Sequence, residues 1–170
     1  MLSSLKRAIP ARFPPRLWYH RSKGHYYAKK FGYPAKHMTV IGVTGTDGKT
    51  TTSSMIYHVL KNQGLHAGML TTTHFAWGDN YETNETHKTS LSPRQLNSYL
   101  EKMKQAGVTH LVLEVSSHAL DQGRLAGIPI LSAVLTNLSH EHLDYHKSME
   151  KYRKAKGILL KKAQHIVISV

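Results

Sequence analysis

The sequence predicts an α/β fold in which a mostly parallel sheet carries helices on both faces. Short apolar runs alternate along the chain with stretches of helical periodicity, which is the pattern of repeated strand and helix units. One apolar run leads directly into a glycine-containing loop and then into a helix, an order typical of phosphate-binding proteins. The 170 residues are enough for one domain with its own hydrophobic core.

The first strand is predicted at about Thr39 to Val43, and a loop and a helix follow it. The side chains predicted to form the buried stripe of this helix are Met55, Ile56, Val59 and Leu60. Gly64 is predicted to end the helix, and residues 68–70 to form a short strand. Thr71 to Thr89 is predicted to be one long polar loop with a turn at 78–80.

In the second half of the chain, Ser92 is predicted to cap a helix that has Pro93 in its first turn and ends near Ala106. A continuous apolar strand at 109–115 then brings Glu114 to the carboxyl end of the sheet, where open α/β sheets bind ligands. The remaining elements are predicted as a strand at Ser132 to Thr136, a lysine-rich helix at Ser148 to Leu160 and a strand at Gln164 to Val170.

The composition narrows the classes of function. The chain has no cysteine, so it has neither a disulfide nor a thiolate metal site. No apolar run approaches the roughly 18 residues of a transmembrane helix, and a cytoplasmic protein is predicted. The formal net charge of +13 suits an anionic partner. Nucleic acid is not predicted to be that partner, because charge alone supports it and no recognition motif is present.

Residues 1–38 are predicted to be a basic N-terminal leader, since they carry nine Lys or Arg residues and no acid. A solvated, partly helical segment is one interpretation. A weak contact with an anionic membrane surface is another, through Arg12, Arg16 and Arg21 interleaved with Phe13, Leu17, Trp18 and Tyr19. A cleaved organellar presequence is disfavoured, because Pro10, Pro14 and Pro15 are expected to break the amphipathic helix that it needs.

The loop after the first strand is predicted to bind a nucleotide. Gly45 and Gly48 allow successive backbone N–H groups to converge on phosphate oxygens, next to the positive end of a helix. Lys49 would neutralise the β- and γ-phosphates, and the Thr50 hydroxyl would bind Mg²⁺. The strict G-x-x-x-x-G-K-[ST] spacing is not met, because Val43 occupies the first glycine position. The candidate nucleotide-binding residues are Gly45, Thr46, Asp47, Gly48, Lys49, Thr50 and Thr51.

This variant loop resembles the ATP loop of the Mur ligase family, which builds the peptide stem of bacterial cell-wall precursors. Residues 114–118, 136–146 and 152–156 resemble the E-V-S-S-H, T-N-L-x-x-D-H-L-D-Y-H and Y-x-x-A-K blocks of that family. Their order and spacing are those of the branch that adds the third stem residue to UDP-N-acetylmuramoyl-dipeptides. The resemblance covers residues 39–170 and implies an incomplete central ATP-binding domain, with the ligase C-terminal domain missing and the chain a fragment.

The resemblance implies a monomeric, ATP-dependent ligase of peptidoglycan precursor synthesis. Such an enzyme phosphorylates a carboxylate of a UDP-N-acetylmuramoyl-peptide, and the amine of an amino acid then attacks the acyl phosphate. Catalysis of this kind depends on cations around the γ-phosphate more than on an acid or a base. The fragment alone is expected to be inactive. The alternative is a stand-alone ATP-binding module without ligase activity.

The catalytic residues implied by the resemblance are Lys49, Glu114, His142 and Lys156. One Mg²⁺ would lie between Thr50, Glu114 and the phosphates, and a second would be held by Glu114, His142 and a carbamylated Lys156. Glu114 also stands out by itself, because an unpaired carboxylate in a buried strand is costly. Composition alone would make Lys156 one more solvated charge. Glu141 replaces the aspartate that the family usually has in D-H-L-D.

Contacts with the muramoyl-peptide are implied for Ser116, Gln122 and Arg124. An arginine suits carboxylate or phosphate through paired hydrogen bonds. Thr89 and Ser90 fall where the family has T-T-P or T-x-P, although here extra residues precede the proline. Thr72 lies in a run of threonines and is predicted either to shape the loop or to contact the sugar.

Overall fold

A computed structural model describes residues 14–86 and 89–169. The helices are α1 Pro14–Lys30, α2 Lys49–Asn62, α3 Pro93–Gln105, α4 Ser117–Asp121, α5 Leu143–His146 and α6 Met149–Lys162, and a 3₁₀ turn lies at Pro34–His37. The strands are β1 Thr39–Thr44, β2 Ala67–Leu70, β3 His74–Trp77, β4 Asn80–Thr83, β5 His110–Glu114, β6 Ile130–Leu135 and β7 Ala163–Ile168.

These strands form one sheet in the order β4-β3-β2-β5-β1-β6-β7. The five strands from β2 to β7 in that order are parallel, and β3 and β4 add an antiparallel hairpin at one edge. The central strand β1 pairs Val43 with Glu114 of β5 and Thr44 with Leu135 of β6. The carboxyl ends of these three strands therefore lie side by side, at the point where the strand order reverses.

Helices cover both faces of the sheet, as the sequence predicts. Leu111 and Leu113 of β5 belong to one buried cluster, which also contains side chains of α3 and α6. Val112, between them, belongs to a second cluster with Tyr57 of α2. Because successive residues of a strand point to opposite faces, these two clusters lie on the two sides of the sheet. The predicted mostly parallel α/β fold is confirmed.

The predicted start of α3 is also confirmed. The Ser92 hydroxyl accepts a hydrogen bond from the backbone N–H of Gln95, and the Gln95 side chain accepts one from the backbone N–H of Ser92. This reciprocal pair satisfies two N–H groups that a helix start otherwise leaves without partners. Pro93 occupies the first turn, where its missing N–H costs nothing.

The predicted polar loop at 71–89 is wrong in its first part, because β3 and β4 form a hairpin there. Gly78 has a φ of 54° and lies at the predicted turn. Phe75 and Trp77 of β3 are buried, whereas β4 is mostly exposed. Each strand has only four residues, too few to display a clear alternation of apolar and polar side chains.

The predicted buried stripe of α2 is half wrong. Met55 and Val59 are 64% and 62% exposed, whereas Ser53 and Tyr57 are buried. Ile56 and Leu60 do pack against the core, so the buried face is rotated away from the predicted one. The rotation places the aromatic ring of Tyr57 against the sheet and leaves two smaller apolar side chains in solvent.

The leader contains α1, which lies against the domain. Pro14 and Pro15 occupy its first turn and do not break it, contrary to expectation. Gly24 and Ala28 are buried. The part of the leader before Pro14 lies outside the described residues. Within the described part of the chain, none of the helices combines the length and the apolar composition needed to cross a membrane.

Candidate functional site

The predicted site residues gather at the carboxyl edge of the sheet. The loop 45–48 follows β1, Thr72 follows β2, Glu114 ends β5 and Asn137 follows β6. Because β2, β5, β1 and β6 are neighbouring parallel strands, their carboxyl ends bring these four segments together. Helix α2 begins at this edge with Lys49, so its N-terminal N–H groups face the same space.

Asn137 holds the loop 45–48 in shape. Its Oδ1 accepts hydrogen bonds from the backbone N–H groups of Thr46, at 3.1 Å, and Asp47, at 2.9 Å. Its Nδ2 donates to the carbonyl oxygen of Asp47 at 3.1 Å, and the Thr136 hydroxyl donates to the same oxygen at 2.6 Å. A Cβ atom at Gly45 would lie only 1.8 Å from the Thr136 hydroxyl oxygen, so this close packing requires glycine.

Lys49 and Thr50 lie in the first turn of α2, and both bond to groups of the site. The Lys49 Nζ donates to the carbonyl oxygen of Thr46 at 2.5 Å. The Thr50 hydroxyl donates to Oε2 of Glu114 at 3.0 Å. Asp47, Gly48 and Thr51, the other members of the predicted set near the helix start, are exposed. The loop therefore offers a cation and a hydroxyl next to accessible backbone.

Glu114 is a buried carboxylate whose hydrogen-bond donors are neutral. Its side chain accepts from the Thr50 hydroxyl at 3.0 Å, the Thr72 N–H at 2.8 Å and the Thr72 hydroxyl at 2.9 Å. The residue is 2% exposed, and within 14–86 and 89–169 it forms no salt bridge with a Lys, Arg or His. A buried charge without a countercharge is costly, and the oxygen donors beside it are the kind that Mg²⁺ prefers.

Lys156 is buried, which contradicts the interpretation of this side chain as a solvated charge. It is 3% exposed, and its Nζ donates to the carbonyl oxygen of Gly45 at 2.5 Å. The Nζ also lies 4.7 Å from the centroid of the Tyr152 ring. Burial, and then the charge of Lys49, lower the pKa of Lys156 from 10.5 to about 8.

Tyr152 is a site residue that the sequence did not single out. Its ring is fully buried, and its hydroxyl lies 3.2 Å from the Thr46 hydroxyl and donates to Oε2 of Glu141 at 3.5 Å. The Ser139 N–H donates to the same Thr46 hydroxyl at 2.9 Å. Burial raises the pKa of Tyr152. The only available signal was its position four residues before Lys156 in the Y-x-x-A-K block.

His142 is not brought onto Glu114. Its backbone is left-handed, with a φ of 54°, and its Nε2 lies 3.4 Å from Oε2 of Glu141. Its ring meets the His118 ring edge-on, with centroids 5.0 Å apart, and burial together with the charge of His142 lowers the pKa of His118. Within the described part of the chain, no hydrogen bond joins His142 to Glu114. The described residues also contain no group of three or more His, Cys, Asp or Glu side chains that could hold a metal ion.

Four of the predicted muramoyl-peptide residues form one hydrogen-bonded network. The N–H and the hydroxyl of Ser116 each donate to the Ser90 hydroxyl oxygen at 3.1 Å. Arg124 donates from Nη1 to the carbonyl oxygen of Ser90 at 2.8 Å. It also donates from Nε, at 3.0 Å, and Nη2, at 2.8 Å, to Oε1 of Gln122. The sequence could not show that Ser90 meets the other three, because it lies 26 or more residues away from them.

A narrow cavity connects this network with Glu114. Thr89, Ser90 and Arg124 line it on one side, and Leu113 and Glu114 on another. Thr72 directs both its N–H and its hydroxyl to Glu114. The polar groups on the Arg124 side and the Glu114 carboxylate therefore border the same narrow cavity.

Comparison with known proteins gives a family match over most of the chain. Residues 43–170 match the Mur ligase middle domain. The UDP-N-acetylmuramoyl-L-alanyl-D-glutamate--2,6-diaminopimelate ligase of Bacillus cereus is 44% identical over 129 residues, which are 76% of this chain and 26% of that protein. UDP-N-acetylmuramyl-tripeptide synthetase 2 of Oceanobacillus iheyensis is 43% identical over 128 residues, 74% of this chain and 25% of that protein. The chain thus spans about a quarter of the length of these relatives.

Solved structures give the same result for the fold. The structure of a UDP-N-acetylmuramoyl-L-alanyl-D-glutamate--2,6-diaminopimelate ligase superposes with a TM-score of 0.76 at 34% identity, and covers 88% of this chain and 30% of that one. Escherichia coli FolC in complex with DHPP and ADP superposes with a TM-score of 0.63 at 18% identity, and covers 89% of this chain and 44% of that one. The second likeness shows a shared fold only.

Proposed function

Because the chain belongs to the Mur ligase family, we propose that residues 39–170 form the ATP-binding domain of an ATP-dependent ligase of peptidoglycan synthesis. The proposed reaction adds an amino acid to a UDP-N-acetylmuramoyl-peptide. The observation that carries the proposal is the buried, uncompensated Glu114 beside the phosphate-binding loop. In this proposal the leader, residues 1–38, contributes α1 to the surface of the domain.

The loop and the start of α2 would bind the phosphates of ATP. The N–H groups at 47–51 and the positive end of the helix attract anionic oxygens. Lys49, which now bonds to the Thr46 carbonyl, would turn to the β- and γ-phosphates. Asn137 and Tyr152 would keep the loop in its binding conformation through their bonds to Thr46 and Asp47.

The residues present fit a Mg²⁺ ion next to this loop. Glu114 and the Thr50 hydroxyl would hold it together with phosphate oxygens, and Thr72 would fix the orientation of the carboxylate. Bound Mg²⁺ would neutralise charge that develops on the transferred phosphoryl group. A second ion held by Glu114 and His142 needs His142 to leave its contacts with Glu141 and His118.

Carbamylation of Lys156 belongs to the same proposal. Only a neutral amine attacks CO₂, and a pKa of about 8 leaves a substantial neutral fraction of Lys156 near neutral pH. The product would be an anion beside the loop, directly below the Gly45 carbonyl. It would replace a cation that the buried site accommodates poorly.

The acceptor would lie on the Arg124 side of the site. Ser90, Ser116, Gln122 and Arg124 would orient the muramoyl-peptide so that its carboxylate oxygen attacks the γ-phosphorus of ATP. ADP would leave, and the amine of the amino acid would then attack the carbonyl carbon of the acyl phosphate and release phosphate. Arg124 is well suited to this task, because its planar guanidinium binds carboxylates in pairs of hydrogen bonds.

The ligase is favoured over a stand-alone ATP-binding module by the names of the relatives, which are ligases and synthetases. The two functions differ in one measurable property. A ligase forms ADP only when the acceptor is present and turns over repeatedly only when the amino acid is present too, whereas a binding module holds ATP without that dependence.

The first test is ATP binding by the chain and its Lys49→Ala variant, measured by calorimetry in the presence of Mg²⁺. We expect a loss of affinity of about 100-fold, because the ammonium on the β- and γ-phosphates is removed. Lys61→Ala, at the exposed end of the same helix, is the matched control and should leave affinity unchanged. Equal ATP affinities of the wild type and Lys49→Ala would contradict the proposal.

The exposed side of α1 supports a further part of the proposal, a weak contact with an anionic membrane surface. Trp18, Tyr19 and Tyr26 are 72%, 54% and 59% exposed. Lys29 and Lys30 follow at the end of the helix, and the helix contains no acid. Aromatic rings and basic side chains together favour the headgroup region of such a membrane.

A further inference from the structure

Tyr145 links helix α5 to the residues that are proposed to hold the acceptor. The residue is 8% exposed, and its hydroxyl donates to Oδ2 of Asp121 at 3.0 Å. The same hydroxyl oxygen accepts a hydrogen bond from Nε2 of Gln122 at 3.4 Å. Oε1 of Gln122 in turn accepts from Nε of Arg124 at 3.0 Å and from Nη2 at 2.8 Å. A chain of hydrogen bonds therefore runs from Arg124 through Gln122 and Tyr145 to Asp121.

The chemistry of the two ends fixes the direction of every link in this chain. A guanidinium only donates hydrogen bonds, and an ionised carboxylate only accepts them. Gln122 must therefore turn its oxygen to Arg124 and its amide nitrogen to Tyr145. The Tyr145 oxygen can accept from that nitrogen because its own hydrogen is directed to Asp121. Without the hydroxyl, the amide nitrogen of Gln122 would lose this acceptor.

The chain of hydrogen bonds is largely shielded from water. Asp121 is 3% exposed, and Gln122 and Arg124 are half-buried. Hydrogen bonds are stronger in such surroundings than in water, and a polar group that loses its partner there is costly. Nη1 of Arg124 also donates to the carbonyl oxygen of Ser90 at 2.8 Å. The guanidinium is therefore held by Gln122 and by Ser90, and only the Gln122 side depends on Tyr145.

The ring of Tyr145 is held in place by two neighbouring rings. Its centroid lies 4.0 Å from that of His118 in α4 and 4.7 Å from that of His146 in α5. Nε2 of His146 lies 2.9 Å from the Ser117 hydroxyl, which ties α5 to α4. Phenylalanine can keep these ring contacts. The effect of the Tyr145 hydroxyl can therefore be measured separately from that of the ring.

We propose that Tyr145 is a positioning residue whose hydroxyl orients Arg124, through Gln122, for the carboxylate of the acceptor. The inference rests on the proposed function for the identity of the acceptor. A guanidinium forms paired hydrogen bonds with a carboxylate only when its plane is aligned with the two oxygens. Removal of the hydroxyl frees the Gln122 amide to rotate, and Arg124 then has to be ordered by the ligand at a cost in affinity.

The first test needs no ligand and follows the Nε–H of Arg124 by NMR in the wild type, Tyr145→Phe and Tyr99→Phe. Tyr99 is the matched control, because its hydroxyl also donates to a carboxylate, Oε2 of Glu82, at 3.2 Å. We expect Tyr145→Phe to speed the exchange of this hydrogen by about tenfold and to shift its resonance. Tyr99→Phe should change neither quantity. Both variants should keep the thermal midpoint within a few degrees of the wild type.

The second test measures the binding of UDP-N-acetylmuramoyl-L-alanyl-D-glutamate by calorimetry. We expect Tyr145→Phe to weaken this binding by about fivefold and to leave the affinity for ATP unchanged, whereas Tyr99→Phe should alter neither. Because the hydroxyl acts through Gln122, Tyr145→Phe should add little to the loss caused by Gln122→Ala. A defect that reached the acceptor site by another route would add to that loss in full.

Four results would overturn the inference. The same Arg124 Nε–H signal in the wild type and Tyr145→Phe would show that the hydroxyl does not orient the guanidinium. Unchanged acceptor affinity in Tyr145→Phe would show that the orientation does not serve binding. Full additivity with Gln122→Ala would exclude the route through Gln122, and equal losses of acceptor and ATP affinity would indicate a general disturbance. Failure of the proposed function is distinct, since the wild type would then bind no acceptor or would bind ATP without Lys49.

Discussion

Glu114 is a buried carboxylate without a cationic partner among the described residues. It is 2% exposed, and its side-chain hydrogen bonds come from Thr50 and Thr72, whose donors are neutral. A structural carboxylate in this position would be expected to have a cationic partner. In the proposed function, a divalent cation that binds with the nucleotide would supply this partner.

Glu114→Gln should therefore uncouple ATP binding from Mg²⁺. In the wild type we expect Mg²⁺ to strengthen ATP binding by about tenfold, and in the variant the ratio of affinities with and without Mg²⁺ should approach unity. Titration calorimetry with Mg²⁺ or with EDTA measures the ratio. Glu150→Gln, at an exposed carboxylate, is the control. A Mg²⁺ response that survives in Glu114→Gln would exclude this carboxylate as the ligand.

Lys156 should give the stability a distinctive pH dependence. Its pKa is lowered to about 8 in the folded chain, against 10.5 as the ordinary value. Between these pH values the unfolded chain holds a proton that the folded chain has lost, so stability rises with pH through that window. Below pH 8 the buried ammonium costs the fold about 3 kcal/mol at most. Lys156→Met should thus be more stable than the wild type at pH 7, and the difference should shrink toward pH 10.5.

Denaturant unfolding in CO₂-free buffer at several pH values measures this difference. Lys161→Met, at an exposed position of the same helix, should show no such trend. In ¹³C-labelled bicarbonate the wild type should give a carbamate signal that is missing from Lys156→Met. A stability difference between Lys156→Met and wild type that does not vary with pH would contradict the pKa assigned to Lys156.

At the residue scale, sequence motifs singled out Lys49 and Glu114, but not the contacts that hold the loop 45–48 in shape. Asn137 contacts the loop across 91 positions of sequence, and Tyr152 across 106. Their roles arise only when β6 and α6 are placed beside β1. Both residues lie in blocks that resemble the family, but a local block does not show which distant segment a side chain contacts.

At the scale of elements, the loop after β1 depends on the segment after β6. Asn137→Ala removes the acceptor shared by the N–H groups of Thr46 and Asp47 and leaves the phosphate-facing residues in place. We expect faster hydrogen exchange mainly at Asp47, because the Thr46 N–H keeps the Asn137 carbonyl oxygen as an acceptor. We also expect a loss of ATP affinity of about tenfold, the result of a less ordered loop. Asn80→Ala, at the start of β4, should change neither quantity. Unchanged exchange at 46 and 47 would show that the loop orders itself.

The elements that the sequence predicted well are those with strong local signals. The capping box at Ser92 and the continuous apolar run ending at Glu114 are both complete within a few residues. The β3–β4 hairpin was missed because its strands are short and one is exposed. The prediction put the wrong face of α2 against the core. In the fold Tyr57 is buried and Met55 is exposed, and the periodicity of apolar residues alone does not show which of two apolar faces packs against the sheet.

For the whole molecule, topology explains why scattered motifs become one site. The loop 45–48, Glu114 and Asn137 lie at the carboxyl ends of three strands that are neighbours only in the sheet. The resemblance of the motifs singled out these residues, and the strand order explains why they meet. What the sequence could not predict is the position of α1, since its contacts with 123–127 use glycines and small side chains that carry no motif.

The charge of the whole molecule leads to the last prediction. A formal net charge of +13 favours any anionic surface, so a specific membrane contact must be distinguished from general attraction. Trp18→Ala/Tyr26→Ala keeps the charge and removes exposed rings of α1, whereas Met55→Ala/Val59→Ala removes exposed apolar groups of α2. We expect wild-type binding to vesicles that contain phosphatidylserine, measured by co-sedimentation, to fall about tenfold in the first variant only. Trp18 fluorescence should shift to the blue on binding. Equal vesicle binding by both variants and the wild type would show that charge alone accounts for the binding.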